Sequence, residues 1–134
     1  MPVLEVLGGL RVVADPAALD AARWTPGTGA KGDEVLVLRF APDDAFAIGA
    51  TGAEVTDPDA IVEEERGYVG AWCTFDDLRH VTEWAPPAER PVLAQGAVAG
   101  VPAKVWLPDD GPTVLVLTSA AHADVLAERL GWPR

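Results

Sequence analysis

One turn constrains the fold more than anything else in this chain, because it occurs twice. Pro42-Asp43-Asp44 separates the apolar runs "EVLVLRF" and "AFAIGA", and Pro108-Asp109-Asp110 separates "VPAKVWL" from "TVLVLTS". Proline presets φ and aspartates bond back onto local amides, so each triplet reads as the polar turn of a hairpin. Adjacent acids also suit a metal-binding carboxylate pair. Recurrence in the same strand-turn-strand setting favours the turn: shared metal chemistry would need both pairs to reach one cleft, whereas shared folding needs only that each turn be polar.

Around these hairpins the two halves follow one order. "VLEVLGGLRVV" reads as a strand kinked at Gly8-Gly9. Asp15 as N-cap with Pro16 at the first helical position opens a helix running to Trp24. After the first hairpin, Thr56 or Asp57 as cap, Pro58, early acids and Gly67 as a stop predict a helix from Asp59 to Arg66. In the second half the strand "YVGAWC" leads to Thr74 and Asp77, a capping box opening the helix "FDDLRHVTEW", which ends at Trp84 before Pro86-Pro87. "RPVLAQGAVAG" and "VPAKVWL" are strands broken at Gly96 and Gly100, and Ser119 caps a last helix, Ala121 to Leu130, that Gly131 stops.

The expectation is therefore a single α+β domain over residues 1–134. It comprises two diverged βαββα repeats, about 3–67 and 68–134, sharing one mainly antiparallel sheet with helices packed on one face.

Ten basic against twenty-one acidic residues give a net charge of −11, a field that repels phosphate backbones and anionic lipid, so neither nucleic acid nor membrane is an expected partner. Cys73 is the single cysteine and cannot form an internal disulfide. With no secretory pattern at the N-terminus and no apolar run near ~18 residues, the expected location is the cytoplasm.

Site motifs are sparse. "GTGAKG" from Gly27 to Gly32 spells G-x-G-x-x-G, but it follows a helix and precedes a strand, the reverse of what a dinucleotide pyrophosphate needs. His80 and His122 fall on different helices without ligand partners at metal-site spacing, so no metal is expected. Cys73 before a helix start is read as a small buried strand residue, with an activated thiol as the alternative. "EEER", Glu63 to Arg66, is a solvated helix end, with an acidic docking site as its alternative. Trp72 and Trp106 fall on strands and are expected to pack. Trp24, Trp84 and Trp132 lie at helix ends or the chain terminus and are the candidates for partner binding. No catalytic residue is identified.

Taken in order, "LRFAPDDAFAIGA", "IVEEERGYVGAW" and "VLAQGAVAGVPAKVWLPDDGPTVLVLTSAAHADVLAERL" resemble the gamma subunit of heterotetrameric sarcosine oxidase, a relative of the folate-binding domain of the glycine-cleavage aminomethyltransferase. The family has a tryptophan after the first acidic turn where this chain has Ala45. The resemblance, over roughly Trp24 to Leu130, implies a compact non-catalytic subunit packed on a larger one. None of the family's folate-binding carboxylate or aromatic clamps maps onto a residue here.

The function expected is thus an accessory or structural subunit acting through protein-protein contact in one-carbon amine metabolism, with a partner protein or a second copy. A folate-type small-ligand binder with a pocket between the repeats is the alternative, so folate is the one possible cofactor. A vicinal-oxygen-chelate-like metal domain ranks below both, because its His and Glu ligands would sit on strands.

Overall fold

The computed structural model describes residues 2–27, 34–82, 84, 85, 87–109 and 111–133. Antiparallel strands predominate with few helices, and the chain divides into two compact units: an inserted unit, Leu7–Arg66, and a terminal unit made of Met1–Val6 with Gly67–Arg134.

Strand β1 (Glu5–Val6) belongs to the terminal unit, and the inserted unit starts with β2 (Gly9–Val13) and α1 (Pro16–Asp20). Asp15 caps α1 by accepting from the Ala17 amide, as the sequence indicated. The helix is a single turn that does not reach Trp24. Trp24 instead lies on β3 (Arg23–Pro26), opposite Ala53 on β6 (Ala50–Glu54). Between them come β4 (Leu36–Ala41) and β5 (Asp44–Ile48), the hairpin that turns at Pro42-Asp43.

The expected helix from Asp59 to Arg66 is a strand, β7 (Ile61–Glu65). The signals taken for a helix cap build a turn: Asp57 carboxylate oxygens accept from the Asp59 amide at 2.9 Å and the Asp15 amide at 2.8 Å, and the Ala60 amide donates to the Asp57 carbonyl at 3.1 Å. Beyond that turn, β-branched Ile61 and Val62 pair with Val13 and Val12 of β2. The resulting four-stranded sheet runs β4-β5-β2-β7, and β3-β6 forms a separate two-stranded ladder. Val12, Leu19, Ala45 and Ala47 form the core of this unit.

The terminal unit continues with β8 (Tyr68–Thr74), α2 (Phe75–Arg79), β9 (Val92–Val98), β10 (Val101–Leu107), β11 (Thr113–Ser119), a 3-10 turn (Ala120–His122) and α3 (Ala123–Leu130). Thr74 and Asp77 make the reciprocal capping box, but α2 stops five residues in, so Trp84 is not at a helix end. Strand β9 runs through Gly96 without a break. The five strands are ordered β1-β8-β11-β10-β9. Leu78 of α2 and Leu126 of α3 pack on the face carrying Ala71, Cys73, Val98, Val105, Val114 and Val116.

Among the described residues the strands form three sheets and not the single shared one expected of the two halves. Each unit satisfies its own ladders, because β7 replaces a helix and closes the inserted unit's sheet on β2. The α+β class and the antiparallel pairing hold.

Candidate functional site

Strand alternation divides the side chains of the five-stranded sheet between two faces. Along β8, Val69, Ala71 and Cys73 are buried on the helix side, which leaves Tyr68, Gly70 and Trp72 opposite. Along β10, Val101, Ala103, Val105 and Leu107 point to the helices, which leaves Pro102, Lys104 and Trp106 opposite. The register then places Trp72, Leu115, Trp106 and Leu93 in one row across four strands. Trp72 is 51% exposed, Trp106 and Leu93 are half-buried and Leu115 is 2% exposed, so Trp72 is the ring of this row that faces solvent. The expected packing of Trp72 against a core is not what the structure shows.

Next to this row the sheet opens. Residues Ala99 and Gly100, at φ 53° and 76°, form a two-residue turn between β9 and β10, closed by the pair Val98 and Val101. The closing pair exchanges hydrogen bonds, so at the next pair, Ala97 and Pro102, the main-chain groups of Pro102 point away from β9 toward β11. Proline has no amide hydrogen to give there. The regular β10–β11 pairing spans Lys104 to Trp106, and beyond it the Thr118 hydroxyl donates to the Pro102 carbonyl at 2.7 Å. A cavity of about 320 Å³ results. Tyr68, Gln95, Pro102, Lys104, Ser119 and His122 form much of its wall. The 3-10 turn brings His122 there, fixed by Ser119, whose hydroxyl accepts from the Ala121 amide, and by the Ala120 amide donating to the Gly67 carbonyl. Lys104 donates to the Gln95 side-chain oxygen at 2.7 Å.

The sequence-derived candidates fall elsewhere. Trp132 is 8% exposed and belongs to the terminal unit's core. Trp84 is half-buried: its indole donates to the Ala97 carbonyl at 3.0 Å, stands edge-on to Phe75 and leaves so little room over Gly96 that a β-carbon there would lie 3.3 Å away. Trp24 is half-buried against the inserted unit's core. The structure does not bring the three together within one unit, since Trp24 is in the inserted unit and the others are in the terminal one.

Cys73 is buried, and loss of hydration, reinforced by the nearby Asp77 carboxylate, pushes its thiol up to about 12. This removes the activated-thiol alternative. Asp77 itself is held below the usual carboxylate range by the Thr74 amide and then the Thr74 hydroxyl, and Asp57 by the amides of Asp15 and Asp59. The paired acids separate in role. Asp44 forms a two-point ion pair with Arg11, at 2.6 and 3.0 Å; Asp109 is exposed beside a turn, and Asp110 lies outside the described residues. Of "GTGAKG" only Gly27 is described. Among the described residues there is no group of three or more His, Cys, Asp or Glu that could hold a metal, and no helix long and apolar enough to cross a membrane.

The fold is similar to that of a chain in the heterotetrameric sarcosine oxidase from Corynebacterium sp. U-96, solved in complex with pyrrole 2-carboxylate. The TM-score is 0.68 at 12% identity, over 97% of this chain and 80% of that one. No protein-family model matches the sequence, and no curated protein does. At this identity the likeness is one of fold.

Proposed function

We propose that this chain is a non-catalytic accessory subunit, comparable in role to the gamma subunit of sarcosine oxidase, that binds a partner polypeptide of one-carbon amine metabolism. The observation that carries the reading is the tryptophan row: Trp72, half exposed, stands beside Leu115 and Trp106 on the sheet face opposite the helices. Aromatic anchors of this kind dominate interface energetics, and a row of them on a strand-built face is rigid before binding. Likeness over 97% of the chain to a member of a heterotetramer supports the same reading.

Affinity purification from the native cells, followed by size-exclusion chromatography with light scattering, tests it. The chain should elute with a stoichiometric partner, and Trp72→Glu should weaken that complex by at least ~30-fold, about 2 kcal/mol, without unfolding the protein. A chain that is monomeric in native extracts, or a complex indifferent to Trp72→Glu, rejects the proposal.

A further inference from the structure

We propose that the outer edge of β7 is a docking site for an extended segment of a partner protein that carries lysine or arginine and adds to the β4-β5-β2-β7 sheet as a further strand. β7 stands at the end of that sheet, and among the described residues no strand pairs with its outer side. The register fixes which main-chain groups are left over. The Gly49 amide donates to the Gly8 carbonyl at 2.9 Å and the Ala14 amide to the Asp43 carbonyl at 3.1 Å, so the alternate residues between them, Leu10 and Val12, turn their main-chain groups to β5. Gly9, Arg11 and Val13 then face β7 and pair with Glu65, Glu63 and Ile61, which leaves the amides and carbonyls of Val62 and Glu64 aimed outward.

Sheet edges are commonly closed to other chains by a proline, a bulge or a lysine. β7 has none of these, and its register with β2 runs unbroken from Ile61 to Glu65. Its apolar side chains stand in water: Ile61 is 55% exposed, Val62 46%, and Val13, directly opposite Ile61, 40%. Three of the seven exposed large apolar side chains among the described residues thus gather at one end of one edge, where β-branched residues of an added strand would cover them. Charge names the occupant. Between Asp57 and Arg66 the chain carries five acids, Asp57, Asp59, Glu63, Glu64 and Glu65, against the one base Arg66. A second copy of β7 laid alongside would set glutamates against glutamates, so the edge repels its own kind, whereas cationic side chains at the same positions turn that repulsion into attraction. The surface lies in the inserted unit and does not involve Trp72, so it stands or falls separately from the tryptophan row.

A short peptide of alternating lysine and valine, titrated into the full-length protein and followed by amide chemical shifts and hydrogen exchange, is a suitable probe. It should saturate at roughly millimolar concentration or below and slow exchange of the Val62 and Glu64 amides by about tenfold or more. The same peptide with every amide N-methylated keeps its charge but cannot donate strand bonds, and should bind about tenfold more weakly. Glu64→Pro, which removes an outward donor without touching a bond to β2, should weaken the lysine-valine peptide by about tenfold, and Glu64→Gln by about threefold or less. Equal binding of the N-methylated peptide to the wild-type protein overturns the proposal even if Glu64→Pro does not fold, because charge alone then holds the peptide. Absence of saturation, full retention in a folded Glu64→Pro, or protection of the Val62 and Glu64 amides that deepens with protein concentration in the absence of peptide, the mark of a second copy on the edge, overturns it too.

Discussion

Gly9 and Gly8 are neighbours in sequence and opposites in what the structure demands of them. Gly9 pairs with Ile48 on one side and Glu65 on the other, and a β-carbon added to it would lie 2.1 Å from the Ala47 carbonyl oxygen, 2.9 Å from its carbonyl carbon and 3.0 Å from the Ile48 α-carbon. Carbon–oxygen contacts in sheets run near 3.3–3.6 Å, so β2 and β5 would have to part by more than ~1 Å. Every atom in the way is backbone, so no side chain can rotate aside. Losing about two ladder hydrogen bonds at roughly 0.5–1.5 kcal/mol each, together with overpacking strain of about 1–3 kcal/mol, gives a cost for Gly9→Ala of about 3 kcal/mol. At Gly8 nothing lies within 4 Å of the added carbon, and its φ is not in the left-handed region. Gly8→Ala should therefore be within about 0.5 kcal/mol of wild type, or slightly stabilised through the unfolded chain. Urea unfolding followed by circular dichroism measures both. With a slope of about 1–3 kcal/mol per molar, Gly9→Ala should lower the midpoint by about 1–3 M and Gly8→Ala should hardly move it. Equal midpoints for the two variants would refute the placement of β2 against β5.

Two further outcomes rest on single side chains. Because burial disfavours the Cys73 thiolate and moves the thiol from 9.0 to about 12, thiolate at pH 8 should be roughly a thousandfold scarcer than on an exposed cysteine; a thiol reagent should label the native protein slowly and the urea-unfolded protein at once, and fast native labelling contradicts the burial. Arg11 holds Asp44 at two points and Glu65 at 3.0 Å while its guanidinium stands 4.7 Å from the centre of the Phe40 ring, tying β7 to β2 and β5; Arg11→Met should cost about 1–2 kcal/mol in the same urea titration, and a change below ~0.3 kcal/mol would show that the ion pairs contribute nothing net.

Local chemistry in the sequence located most of the turns and caps. Asp15 and Thr74 with Asp77 cap the helices expected of them and Gly131 ends α3 at φ 71°, whereas Ser119 caps the 3-10 turn that precedes α3, which starts at Ala123 with no side-chain cap. The failure at "TDPDAIVEEER" has a physical cause. An aspartate that accepts from amides two residues on is chemically the same object at a helix start and in a tight turn, and the conformation of the next residues depends on whether a strand stands ready to pair with them. Here β2 offers Val12 and Val13 to Val62 and Ile61, a tertiary fact that the segment itself does not encode. Trp24 went the same way: its short helix gave out because β6 pairs with the residues that would have continued it.

Trp72 departs from expectation by a different route, because a ring on a strand packs on the core only when it falls on the core face. In "YVGAWC" the buried side chains are those of Val69, Ala71 and Cys73, and period-two alternation alone puts Trp72 on the other face. In "VPAKVWL" the same count sets Trp106 beside Lys104 and Pro102, opposite a run of small and branched apolar residues. Those two strings already contained the aromatic row, because in each the tryptophan alternates with small and branched apolar residues and so falls on the face opposite the core. What they lacked was the register that sets Trp72, Leu115 and Trp106 side by side, and this depends on strand order across residues far apart in the chain. The same interior strand that supplies Val105 to the core thus carries Trp106, the centre of the proposed partner surface, on its other face.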